Sequence, residues 1–136
     1  MSPFEYLRDC IKTDIAPSPI HGIGTFALID IKAGDELFQK WNGESGIYTI
    51  THNEFNSLPT HVKKMLLKSY ENYLEEQPVV WFRLTKDCYW TMSNPLAYTN
   101  TAGDNGNFSS VTKVAKKSIR AGEELLGTYK LENTLL

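Results

Sequence analysis

Cysteine is scarce in this chain. Cys10 and Cys88 are the only two, and neither belongs to a C-x-x-C or a Cys/His pair. They read as isolated reduced thiols, which excludes a disulfide framework. No four-ligand set has zinc spacing, so no metal is expected. The three histidines, His21, His52 and His61, are scattered and read as surface or turn residues. Charge of one sign is lacking too: 14 Lys and Arg stand against 16 Asp and Glu, for a net −2. A general nucleic-acid binder would carry a basic surplus, so no direct nucleic-acid partner is expected, while a short basic peptide stays compatible. No apolar run approaches the length of a membrane span. The opening Met1-Ser2-Pro3-Phe4-Glu5-Tyr6 has no apolar signal core. The expectation is therefore no membrane and a cytoplasmic or otherwise intracellular place. Repeats, low-complexity tracts and linkers are absent as well, and 136 residues suit one domain, 1–136.

What is present is a run of short strand-like pieces with one helical insert. Residues 1–15 are mixed and fit a strand or a short helical turn. Pro17 and Pro19 break any helix there. Strand character follows over Ile20 to Phe26, Phe26 to Ile31 and Glu36 to Trp41, with turns at Lys32-Ala33-Gly34-Asp35 and Asn42-Gly43. The middle changes character. Thr51 followed by Glu54 predicts a capped helix start, and Leu58-Pro59 interrupts it. Thr60 then opens an amphipathic pattern through Val62, Met65, Leu66, Tyr70, Tyr73 and Leu74. Together these predict a helical insert over about 51–76. Val79 to Leu84, Cys88 to Met92 and Val111 to Ala115 predict further strands, and Ser93 to Asn107 reads as loop. The class is α+β with mostly short β-strands. The alternating units of a Rossmann fold are not there.

Three segments invite a chemical reading. Ile20-His21-Gly22-Ile23-Gly24-Thr25-Phe26-Ala27 has two glycines that let backbone approach a ligand, although a GxG alone is as compatible with a hairpin turn. Tyr98-Thr99-Asn100-Thr101-Ala102-Gly103-Asp104-Asn105-Gly106-Asn107 alone would be an asparagine-rich turn. Ala121-Gly122-Glu123-Glu124-Leu125-Leu126-Gly127-Thr128-Tyr129 alone would be a polar turn entering an edge strand. In this order, the three resemble the signatures of the SET-domain lysine methyltransferases. The resemblance is strongest over 16–43 and 94–129, with Trp41-Asn42-Gly43 as a lesser match. The chain departs from the family at Ala97, Thr101, Ala102 and Thr128.

The resemblance implies a SET-type β-clip fold with a threaded C-terminal segment, which would bring the Asn100 loop beside the Tyr129 strand. It implies S-adenosylmethionine as cofactor, bound by His21, Gly22, Ile23, Gly24, Asn100 and Thr101. It implies Tyr129 as the catalytic residue, Tyr98 and Phe108 along a substrate channel, and a protein or peptide lysine as substrate. Such a lysine must arrive neutral, and deprotonation at pH 7 costs about 4.6 kcal/mol from its usual pKa. An apolar channel beside a positive sulfonium favours the neutral amine, so no strong general base is needed. Many relatives close the channel with a cysteine-rich tail. Lys130 to Leu136 carry no cysteine, so the cover is this short tail, the substrate or a partner subunit, or is absent, and a homodimer stays open. The alternative is a catalytically weak or inactive SET-like binding module.

Overall fold

The computed structural model describes residues 1–74, 77–90 and 98–128, side chains at 69–74 and 104 excepted. The elements in chain order are α1 (Pro3–Asp9), β1 (Thr13–Pro17), β2 (Ile23–Ala27), β3 (Gly46–Thr51), α2 (His52–Ser57), α3 (Thr60–Leu74) and β4 (Val79–Leu84). A two-residue β5 (Asn100–Thr101), a 3-10 turn (Gly103–Asn105) and a two-residue β6 (Leu126–Gly127) complete them. This is a small α+β structure whose strands pair mostly antiparallel. It divides into two compact units, the first of residues 1–11 and 40–92, the second of 12–39 and 93–136.

The first unit follows local rules. Ser2 caps α1 reciprocally with Glu5, and Pro3 starts the helix where a missing N–H costs nothing. Thr51 caps α2 in the same way, accepting from the Glu54 amide while the Glu54 carboxylate accepts from the Thr51 amide. The cap at Thr51 is where the sequence predicts it. Beyond Pro59, α3 buries Val62, Met65 and Leu66, one stripe at helical spacing. Strands β3 and β4 pair antiparallel from Gly46↔Leu84 to Thr51↔Val79. Alternation puts Val80, Phe82 and Leu84 on the buried side. Around them gather Tyr6, Trp41, Tyr48 and Trp90, with Trp41 edge-on to both Tyr6 and Tyr48 at 5.5 and 5.8 Å. Burial pushes the Tyr6 phenol well above its usual pKa.

The second unit is assembled differently. Its one long ladder is the hairpin β1–β2, from Thr13↔Ala27 to Pro17↔Ile23. Elsewhere single bridges join pieces distant in sequence, Phe26↔Glu124, Ile31↔Ile119 and Glu36↔Val114, and Phe108 bridges both nearby Ala115 and Gly127. The core is Ala27, Ile31, Leu37, Phe108, Ala115, Ile119 and Leu125, with Ile29 and Phe38 packed against it. The turn at Lys32–Asp35 forms with Gly34 at φ +93.

Several expected strands shrink here. The strand predicted over Phe26 to Ile31 ends at Ala27, and that over Glu36 to Trp41 keeps only the bridge at Glu36. Cys88 to Trp90 is not a strand either: it follows a turn in which Cys88 N donates to Thr85 O at 3.1 Å and Asp87 sits at φ +60, while Thr91 and Met92 of that expected strand lie outside the described residues. Val111 to Ala115 is mostly a turn. The Ser109 hydroxyl accepts from the Val111 and Thr112 amides at 3.3 and 3.2 Å, and Lys113 sits at φ +61. Such side-chain to backbone bonds compete with a ladder and here override the β-branched residues. β3, conversely, has no counterpart in the sequence-based expectation.

Candidate functional site

The β1–β2 hairpin turns through residues 18–22. The Ser18 amide donates to the Gly22 carbonyl at 2.8 Å, and Gly22 lies at φ +52, a left-handed conformation that glycine takes without strain. The Ser18 hydroxyl oxygen sits inside the turn and accepts from the Ile20 and His21 amides at 3.0 and 3.4 Å. The turn is therefore held from within by a side chain.

Glu124 reaches this turn from the far end of the sequence. Backbone bonds place it: Leu125 donates to Thr25 at 2.7 Å, and Phe26 bridges Glu124 itself. Its Oε1 accepts from the Ser18 hydroxyl at 2.7 Å, and its Oε2 from the Asn100 amide nitrogen at 2.6 Å. That same Nδ2 lies 3.2 Å from Ser18 Oγ and 3.3 Å from the His21 carbonyl. Gly24 makes room. A Cβ there would fall 2.5 Å from Glu124 Oε2 and 2.9 Å from its Cδ.

The Asn100 segment is bound along the chain's last described stretch. β5 and β6 pair in parallel, Asn100 with Leu126 and Thr101 with Gly127. Ala102 N donates to Gly127 O at 3.1 Å, and Asn107 N to Leu126 O at 2.8 Å. The buried Asn107 side chain accepts from the Leu126 amide at 2.8 Å and donates to the Glu124 carbonyl at 2.9 Å. Gly106 allows this approach, since a Cβ there would meet Gly127 O and Leu126 O at 2.6 and 2.7 Å. Thr128 follows, 4% exposed. Its carbonyl accepts from Ser110 at 3.3 Å, but its own hydroxyl has no hydrogen-bond partner among the described residues.

Of the residues that the resemblance points to, His21, Gly22, Gly24 and Asn100 meet in one place. Ile23 is half-exposed at the start of β2, and Thr101 is half-buried on β5. Tyr98 is half-buried. Phe108, assigned to the channel, lies wholly inside the core, edge-on to Phe38 at 6.0 Å; its ring packs among aliphatic side chains. Tyr129 lies outside the described residues. Ser18 and Glu124 are the members that sequence reasoning missed. Glu124 stands in the quoted Gly-Glu-Glu-Leu run, and the small residue at 24 is the trace it leaves in the sequence. Among the described residues no three His, Cys, Asp or Glu side chains form a metal-holding group, and no helix is long and apolar enough to cross a membrane.

No family model matches the chain, and no curated protein does. Among solved structures it is similar to a candidate histone methyltransferase of Plasmodium falciparum, at 18% identity and TM-score 0.39, over 88% of this chain and 93% of that one. It is also similar to the Polycomb Repressive Complex 2 of Chaetomium thermophilum in an autoinhibited conformation bound to S-adenosylmethionine. There the identity is 23% and the TM-score 0.40, over 93% of this chain but 16% of that one. A humanized mutant of the same complex bound to the inhibitor GSK343 gives 24% and 0.41, over 93% and 16%.

Proposed function

We propose that this chain is a SET-type domain, its C-terminal segment threaded past the Asn100 loop, and that it transfers a methyl group from S-adenosylmethionine to a lysine of a protein or peptide. The observation that supports this reading is that three motifs, through His21, Asn100 and Glu124, meet with Ser18 in one hydrogen-bonded cluster. The same three motifs carry the family resemblance.

The residues present fit the cofactor. Gly22 has open space where a Cβ would stand, so a ligand can approach that backbone. Asn100 turns its nitrogen to Glu124, and its Oδ1 accepts no hydrogen bond among the described residues. The turn at His21–Gly24 and the Asn100 side chain would hold the cofactor, which supplies a methyl group activated on a sulfonium. Tyr129, by resemblance, orients the incoming lysine amine through its hydroxyl. Apolar surroundings keep that amine neutral.

The test has two parts. Calorimetry with S-adenosylmethionine should show stoichiometric binding to the wild-type chain. Labelled cofactor with a lysate, followed by mass spectrometry, should place methyl groups on lysine. Tyr129→Phe should lower turnover at least about tenfold, equivalent to roughly 1.4 kcal/mol of barrier, while cofactor affinity and melting hold. A stably folded Tyr129→Phe that methylates at the wild-type rate removes the catalytic assignment. Binding without any methylated product would favour the alternative, a SET-like binding module.

A further inference from the structure

We infer that Glu124 is a positioning residue: its carboxylate decides which way the Asn100 amide faces, and so presents an acceptor on the ligand side of the site. The ligand's identity rests on the methyltransferase reading; the orientation of the amide does not. A carboxylate accepts hydrogen bonds and donates none. With Oε2 at 2.6 Å, the Asn100 group facing it must be the NH2. The His21 carbonyl, also an acceptor only, lies 3.3 Å from the same nitrogen and requires the same orientation. Oδ1 is thereby turned away from the cluster.

The carboxylate also sets the direction of the Ser18 bond. A hydroxyl has one proton, and here it goes to Oε1 at 2.7 Å. The two Ser18 lone pairs are then left to be shared among three donors, Ile20 N, His21 N and Asn100 Nδ2. One charge thus fixes the direction of both side-chain bonds it receives, from Ser18 and from Asn100. Among the described residues no Lys or Arg forms a salt bridge with it, so directional donors alone hold it. Bonds to an ionised acceptor are the strong ones. Gly24 belongs to the same device, because any larger residue would displace Oε2.

Glu124→Gln keeps the shape of the side chain and reverses one bond. One end of its amide must donate, so either Asn100 turns over or the Ser18 hydroxyl lets go. In the ligand-free protein the Asn100 side-chain amide signals in a 1H–15N spectrum should move, while melting stays close to wild type. S-adenosylmethionine affinity should fall at least tenfold. Adding Asn100→Asp should then recover at least threefold of that loss, because the new amide donates to one Asp oxygen and the other again faces the ligand as an acceptor. A merely structural Glu124 would give no such recovery. If Glu124→Gln fails to fold, Gly24→Ala displaces the same carboxylate and is read in the same two ways. Unmoved Asn100 signals and affinity within twofold of wild type overturn the inference. A wild-type chain that does not bind S-adenosylmethionine overturns the methyltransferase reading instead, and the Asn100 signals then decide the positioning role alone.

Discussion

The two units hold themselves together by different means. In the first, regular elements do the work: a six-pair ladder, capped helices and an aromatic cluster on one face of β4. In the second, one hairpin is joined to pieces that pair a residue or two at a time, and one side-chain bond, Ser18 to Glu124, spans 106 residues. The first unit owes its shape to apolar volume, which tolerates exchange among residues of similar size. The second has an apolar core too, but its candidate site is set by close backbone approaches and directed polar bonds, which do not. The candidate site lies in the second. A cluster drawn from three distant segments closes its loops only when the whole unit forms, and such contacts are slow to assemble.

The sharpest way to test this contrast is to remove volume from one unit and add it to the other. Phe82 is fully buried beside Tyr48 and Trp90. Phe82→Ala should cost about 4 kcal/mol in chemical denaturation, and Phe82→Leu should restore most of that, leaving about 1.5 kcal/mol. Gly106→Ala should cost about 3 kcal/mol, because its Cβ meets backbone atoms that no rotamer change can move. Gly106→Ser should cost as much, so no conservative replacement exists. Equal midpoints for Gly106→Ala and wild type would mean that the two segments do not approach as described, and the contrast would collapse.

The same contrast explains what the sequence discloses. Local chemistry is legible. Thr51 with Glu54 marks a cap, Leu58-Pro59 a break, Val79 to Leu84 a strand with its observed bounds, and Gly34 a turn. What depends on partners is less so. Phe26 to Ile31, Glu36 to Trp41 and Val111 to Ala115 all have strand-like composition, yet composition does not say whether a neighbour runs alongside for one residue or five. β3 escapes for a related reason: its exposed and half-buried face carries little apolar alternation before β4 is known to lie beside it. At the site, Asn100 and the two glycines are legible by resemblance. Ser18 and Glu124 are not, since a serine between two prolines and an acid in a polar turn look ordinary until a bond across 106 residues joins them.

A smaller effect separates local from distant polar bonds. Thr51 accepts from the Glu54 amide at 3.1 Å, three residues away. Thr51→Ala should cost about 1 kcal/mol, the usual worth of an N-cap, and Thr51→Ser should cost less than half of that. If Thr51→Ala loses several kcal/mol, the cap carries more than the start of α2, and the first unit is less modular than its elements suggest.

The smallest effect should have the opposite sign. Thr128 is buried, and its hydroxyl finds no partner among the described residues. Burying such a group without compensation costs about 1–3 kcal/mol relative to leaving it in water. Thr128→Val keeps the branched Cβ and nearly the same volume while removing the orphaned oxygen. Stability should therefore hold or rise, by up to about 1 kcal/mol. The Ser110 bond should persist, because it goes to the Thr128 backbone carbonyl and not to the side chain. Thr51→Ala and Thr128→Val thus each delete one threonine hydroxyl, yet the first should weaken the protein and the second should not. Denaturation of both variants under one set of conditions gives the comparison directly. A loss of 1 kcal/mol or more, on this scale of desolvation, in Thr128→Val would mean that the hydroxyl is satisfied in the native protein, and that the position beside Tyr129 is held by a polar bond rather than by packing.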